Sequence, residues 1–377
     1  MIALVVATSY EAARDAAARI EVEYAPAEGR FDFAAHRAEG ETPPRSKITP
    51  PRSSQGDLGK AMAVAPVMVD LTFTTPSQNS AAMEPHASTA VWSPEGKLTL
   101  YGSYQMPTTD QGQLAKVLNV ATSKVRIVSP YVGGGFGSKL GIAPEAVAAA
   151  IAARQLGRPV KVAMARQQVF ETTPRRSNTE QRIRLAATRE GTITGIGHET
   201  KCSNLKGEAF FEPTGIGTHA LYGGENRLIT HEIVRLNLGL SGSMRAPGEA
   251  VGMMALEVAM DALAEKLGMD PVELRKRNDP VVDPEKGHAF SSRSLSRCLD
   301  AGAARFGWSE RNATPGATRD ARRRMADRDR HGLGDAQQPA AEIVRERARQ
   351  RGGARDRAHV DDRHRHRHLY HSPADRV

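Results

Sequence analysis

Cysteine is nearly absent: Cys202 and Cys298 are the whole complement of 377 residues. That excludes a disulfide framework and any metal or iron–sulfur site built on cysteine within this chain. Long apolar runs are missing too. None reaches about 18 residues, so no transmembrane helix is expected. The short apolar start at Ile2–Thr8 has no basic n-region and no cleavage site, so a secretory signal is not supported. Lysine, phenylalanine and tryptophan vanish from residues 317–377, which hold 16 Arg and 10 acidic residues. That stretch carries +6 of the net charge of +9, and the remaining 316 residues carry +3. The high overall charge is therefore a property of the tail, not a nucleic-acid signal spread over the chain.

What is present has clear punctuation. Ile2–Ala7 and Ile20–Tyr24 read as strands around an Ala-rich helix, Tyr10–Ala18, opened by Ser9. Residues 28–60 are rich in Pro, Gly, Arg and Ser without a period, and read as a linker. Periodicity then returns. Val67–Phe73 is an expected strand, and Ala90–Trp92 with Leu98–Ser103 an expected hairpin around Pro94-Glu95-Gly96. Asp110–Leu118 and Pro144–Leu156 read as helices, and Val125–Val128 and Val160–Met164 as strands. Arg182–Thr188 and Ile193–Thr200 form a second expected hairpin, and Glu232–Leu238 a further strand. Pro247–Leu267 is a long helix closed by Gly268, followed by Val272–Arg277 with Asp270 as N-cap and Pro271 at its first position. This mixture predicts an α+β (mixed α/β) fold. After Pro315 no period can be found, and the segment has too little apolar surface to offset its ordering entropy.

Three motifs carry chemistry. Tyr131-Val132-Gly133-Gly134-Gly135-Phe136-Gly137-Ser138-Lys139 lies between a strand and a helix, and lets backbone N–H groups approach an anionic or planar ligand. Ser138 before Lys139 excludes a Walker A loop, and also breaks the third glycine of the dinucleotide fingerprint. A plain strand–helix turn is the competing reading. Ser243-Met244-Arg245-Ala246-Pro247-Gly248-Glu249 opens the long helix, where an anion would meet both the helix terminus and Arg245. An ordinary helix start with a solvated Arg is the simpler alternative. Met83-Glu84-Pro85-His86-Ala87 offers an acid and an imidazole, a pair more often found on a surface or in a satisfied core. Gln105-Met106-Pro107 follows a strand and offers an amide.

In order and spacing these segments resemble the molybdenum-binding large subunits of the xanthine dehydrogenase/aldehyde oxidase family, most of all the bacterial aldehyde oxidoreductases with separate subunits. The run Asp270-Pro271-Val272-Glu273-Leu274-Arg275-Lys276-Arg277-Asn278 resembles that family's segment after its long helix. The resemblance covers residues 1 to about 315. It implies residues 1–27 as the end of a hammerhead-type domain, 28–60 as a linker and 61–315 as the first molybdopterin-binding domain. It implies hydroxylation of an aldehyde or N-heterocycle carbon with oxygen from water, at molybdenum held by a pterin dithiolene. The pterin's nucleotide form, the cytosine dinucleotide included, is left open. Electrons would leave through [2Fe-2S] and FAD on an iron–sulfur subunit and an FAD subunit. The cofactor contacts implied are Gly134, Gly135, Phe136, Gly137, Arg245, Ala246 and Glu84, with no residue of the chain ligating the metal. Met83 stands where many eukaryotic members carry a Gln, and Leu140 where purine-oxidising members carry a Glu, which favours an aldehyde. The family's catalytic Glu base matches no part of this chain, so no catalytic residue is assigned, and the chain by itself is expected to be inactive or unstable.

Residues 316–377 fit an out-of-frame translation. Arg363–His368 can be encoded by CGG CAC repeats, which shift by one base into Gly-Thr repeats resembling a stretch of this family. A basic tail binding RNA or membrane lipid is the alternative for this stretch; for the chain as a whole the rival reading is a non-catalytic remnant that docks on the iron–sulfur subunit. No nucleic-acid partner and no membrane span are expected. The compartment is left open, with the cytoplasm expected and the periplasm reachable through a partner subunit's signal.

Overall fold

A computed structural model describes residues 2–44, 46 and 49–312. The expectation of an out-of-frame tail at 316–377 lies outside the described residues. Within them the chain is mixed α/β, as its alternation of periods predicts.

The N-terminal helix α1 (Tyr10–Ala18) forms where expected, with the Ser9 hydroxyl accepting from the Ala12 amide. The flanking segments expected as strands join no ladder among the described residues. An extended segment becomes a strand only through a partner's hydrogen bonds, and Ile2, Val6, Val22 and Tyr24 stay exposed. Residues 28–60, expected as a linker, hold α2 (Phe33–His36), β1 (Arg52–Gln55) and the start of α3 (Leu58–Val64). The polar Arg-Ser-Ser-Gln run of β1 shows no apolar alternation because it is an edge strand, held by backbone pairing with β11 and by the Ser53 hydroxyl, which donates to Glu285 at 3.4 Å.

The remaining elements follow in order: β2 (Val67–Thr75), β3 (Gln78–Asn79), β4 (Ala87–Trp92), β5 (Leu98–Gly102), α4 (Pro107–Val117), β6 (Val125–Val128), α5 (Pro144–Leu156), β7 (Val160–Ala163), α6 (Arg166–Thr172), β8 (Arg175–Arg176), β9 (Thr179–Ala187), β10 (Ile193–Asn204), β11 (Asn226–Arg235), α7 (Glu249–Leu267), α8 (Pro271–Arg277) and α9 (Leu295–Phe306). They build two layered units. A five-stranded sheet runs β1-β11-β10-β9-β2, and its Ile183, Leu185 and Ile196 pack under Ala255, Leu256, Ala259, Met260 and Leu263 of α7. A four-stranded sheet runs β6-β5-β4-β7, and its Ala90, Leu98 and Leu100 pack under α4 and α5. Alanines at 146, 149, 150 and 153 are buried there, so α5 lies close to the sheet.

One motif proves structural. The Asp270–Asn278 run is a staple: Asp270 caps α8, Arg275 donates to Glu257 of α7 at 2.9 Å, and Asn278 bonds Ile193 N and Gly191 O. Strand β11 starts six residues before the expected Glu232, because Arg227 is buried with its guanidinium on the Tyr222 and Thr218 carbonyls.

Candidate cofactor site

Sheet register brings three of the motif loops to one place. Ser88 at the start of β4 pairs with Gly102 at the end of β5, and Tyr101 of β5 pairs with Val128 at the end of β6. The loops at Met83–His86, Tyr104–Met106 and Ser129–Ala143 therefore leave the four-stranded sheet at one edge. The fourth segment, Ser243–Glu249, arrives from the other unit at the start of α7.

The glycine loop is braced from its base. Gln105 Oε1 accepts from the amides of Gly137 (3.0 Å) and Lys139 (3.2 Å). The side-chain oxygen expected to face a ligand thus faces the loop. Glu84 accepts from Gly133 N at 2.7 Å and from Lys139 Nζ at 2.6 Å, while Lys139 also donates to Ser103 Oγ. Burial pushes the Glu84 carboxyl up, but the hydrogen bonds from Lys139, Ser103 and the Gly133 amide outweigh it and hold it below its ordinary range. Glu84 supports the loop through these bonds, and His86 lies beneath it with Nε2 3.0 Å from the Ser138 carbonyl oxygen. Ser80 and Ser138 hydroxyls both donate to the Gly135 carbonyl.

Gly134 (φ 95°) and Gly137 (φ 100°) occupy the left-handed region, as does Phe136 (φ 51°). A Cβ on Gly137 would fall on the Ser243 carbonyl, so that glycine lets the loop close on the second segment. The Arg245 amide then donates to the Phe136 carbonyl at 2.8 Å. The Gly134, Gly135 and Phe136 amides donate to nothing among the described residues. Arg245 is exposed and has no carboxylate partner among them. Free amides on one turn and an exposed guanidinium on the turn bonded to it suit an anionic group. Met83, Tyr131 and Phe136 are exposed around them. Leu140 is half-buried just past the loop.

Sequence reasoning missed the residues that hold the second segment. Arg176 donates to the Arg245 carbonyl (2.6 Å), the Ala246 carbonyl (3.4 Å) and Glu212 Oε1 (2.7 Å). Gly248 N donates to the same Glu212 oxygen at 2.6 Å. Burial pushes the Glu212 carboxyl up, against the Gly248 amide and Arg176, which pull it down. The only available signal was a charged residue inside Phe210-Phe211-Glu212-Pro213, an apolar setting that a lone Glu seldom enters unpaired.

Among the described residues no group of three or more His, Cys, Asp or Glu could hold a metal ion. No helix among them is long and apolar enough to cross a membrane.

Residues 40–279 match the molybdopterin cofactor-binding domain. The chain is 46% identical over 320 residues to the aldehyde oxidoreductase molybdenum-binding subunit PaoC of Escherichia coli, covering 85% of this chain and 43% of that protein. It is 28% identical over 267 residues to the xanthine dehydrogenase molybdenum-binding subunit of Escherichia coli O157:H7, covering 69% and 36%. The structure of the aldehyde oxidoreductase from Desulfovibrio gigas superposes with a TM-score of 0.70 at 25% identity, over 82% of this chain and 36% of that one. The chain belongs to the family of molybdenum-binding large subunits of xanthine dehydrogenases and aldehyde oxidases. It spans less than half the length of these relatives.

Proposed function

We propose that this chain forms one side of the molybdenum–pterin site of a hydroxylase that oxidises an aldehyde, or an N-heterocycle, and passes electrons to [2Fe-2S] and FAD on partner subunits. The observation that carries the reading is the junction of the two turns, which leaves the Gly134, Gly135 and Phe136 amides without partners among the described residues on one turn and the Arg245 guanidinium exposed on the other. When bound, the cofactor supplies hydroxylation with water-derived oxygen and accepts two electrons. The chain's own residues bind and orient it. Gly134–Gly137 present backbone donors, Arg245 supplies positive charge, and Ala246 keeps the wall beside it small. Glu84 acts at the base of the loop, and its carboxylate holds Lys139 and Gly133 in place. Leu140 in place of an acid favours an uncharged aldehyde over a purine. No group of this chain is assigned the proton-abstracting role, which falls to the part of the family protein outside the matched span.

Expression of the full chain in a host that makes the cofactor tests this. Molybdenum and pterin should co-purify with the wild type and fall at least tenfold in Arg245→Ala. Absence of both from a folded wild-type protein, or unchanged content in the variant, contradicts the reading.

A further inference from the structure

We propose that Arg176 and Glu212 are a positioning pair, which fixes the Arg245–Gly248 turn so that the Arg245 guanidinium faces outward toward the cofactor. The inference rests on the reading of Arg245 as a cofactor contact, and adds two residues that touch neither cofactor nor substrate. Their side chains are 3% and 0% exposed. A buried ion pair is weak evidence for stability, because apolar residues of the same volume often serve as well. Its geometry here points to a different role. The guanidinium sends Nη2 to the Arg245 carbonyl and Nη1 to the Ala246 carbonyl, and the carboxylate takes the Gly248 amide. Pro247, between them, has no N–H to offer. The pair thus holds both ends of a four-residue turn from its buried side.

The turn needs holding. Ala246 sits at φ 56°, a left-handed conformation that a residue with a Cβ keeps only where its surroundings over-determine it. Phe136, across the 2.8 Å bond from Arg245 N, has the same conformation at φ 51°. With the Arg245 carbonyl bound inward by Arg176 and its amide bound to Phe136, its side chain is left exposed on the opposite side. Arg176 and Glu212 therefore act on the cofactor face only through the main chain.

The test uses the full 377-residue chain with Arg176→Lys, Glu212→Gln, Arg245→Ala and, as a control, Arg275→Lys. Arg275 is in a buried ion pair with Glu257 whose bonds do not reach the turn. Three quantities are read: amide exchange of residues 243–250, thermal midpoint, and affinity for inorganic pyrophosphate. Arg176→Lys should speed exchange in 243–250 about tenfold, the effect of losing a charge-assisted hydrogen bond, and weaken pyrophosphate several-fold. Glu212→Gln should do the same to a smaller degree, and reads the proposal if Arg176→Lys does not fold. Arg275→Lys should lower the midpoint while leaving exchange in 243–250 and affinity unchanged. Unchanged exchange in both pair variants overturns the proposal, as does an equal response of the turn to Arg275→Lys. Arg245→Ala separates the underlying reading. If it binds pyrophosphate like the wild type, or the wild type binds none, the cofactor contact fails, and the positioning claim stands or falls on exchange alone.

Discussion

The two turns that make the candidate site are alike in conformation and unlike in how they are held. Phe136 and Ala246 are both non-glycine residues in the left-handed region, and the bond from the Arg245 amide to the Phe136 carbonyl joins their turns. The glycine loop draws part of its support from rim side chains that solvent reaches, Gln105, which is exposed, and Glu84, whose side chain is 41% exposed, beside the buried Ser80, His86 and Lys139. The Arg245 turn is secured from the core, by a pair that solvent does not reach. Water can replace a lost partner at the rim but not in the core. Damage to the first should therefore be local, and damage to the second should spread into the sheet beneath.

Arg176→Ala should have the largest effect. It leaves Glu212 charged and unpaired in the interior, at a cost of about 3–5 kcal/mol. Urea denaturation should show a lowered unfolding free energy for the whole chain, and a value within about 1 kcal/mol of wild type, the scale of one lost rim hydrogen bond, would erase the contrast.

Acid should separate the regions by pH. His231 is held down to about 4 by burial, chiefly, and by the nearby His219 charge, against the Pro51 carbonyl, which raises it. Its folded pKa lies below its unfolded value, so the unfolded chain takes up the proton first. Stability from His231 is present above about pH 6.5 and drains away as pH falls toward 4, by on the order of 2–3 kcal/mol. Glu84 is depressed, so its contribution is present above its unfolded value of 4.5 and is lost as pH falls below that. The five-stranded sheet should weaken in the window from about 6.5 to 4, and the glycine loop only below about 4.5. Amide exchange of residues 226–235 against pH, paired with that of residues 131–140, reads the two windows. A single shared transition would contradict the division.

Gly137→Ala acts on the junction. It adds a Cβ where the Ser243 carbonyl lies and imposes about 1–3 kcal/mol of backbone strain. Exchange should rise in both turns at once, and a rise in only one would mean that they are not in register. Lys139→Gln should have the smallest effect, about 1 kcal/mol, because Glu84 can turn to water. Its signature is faster exchange at Gly133 without a global loss.

How much of this was legible follows from where the signals are written. Helix α5 could be read end to end, because Pro144 opens it and Gly157 closes it at φ 59°. The Asp270-Pro271 start of α8 was equally plain. The motif loops were visible as glycine and proline punctuation, and their convergence was visible only through resemblance. Other features are contacts across distance. The 36-residue separation between Arg176 and Glu212 leaves no local pattern. Polar Arg52–Gln55 becomes a strand only because β11 offers it an edge. Apolar Ile2–Ala7 does not, because nothing described pairs with it. Glu84 and Gln105 were seen as chemistry-bearing side chains, but their use as braces depends on where the loop folds back.

The central claim is that two pinned turns together form one wall of a molybdopterin site. Titration of the purified full chain with molybdopterin, followed by pterin fluorescence, tests it most directly. The account predicts saturable binding that weakens about tenfold or more in both Arg245→Ala, which removes the charge, and Gly135→Ala, whose Cβ would displace Gln105. Binding that is absent from the folded wild type, or equal in all three proteins, would contradict it.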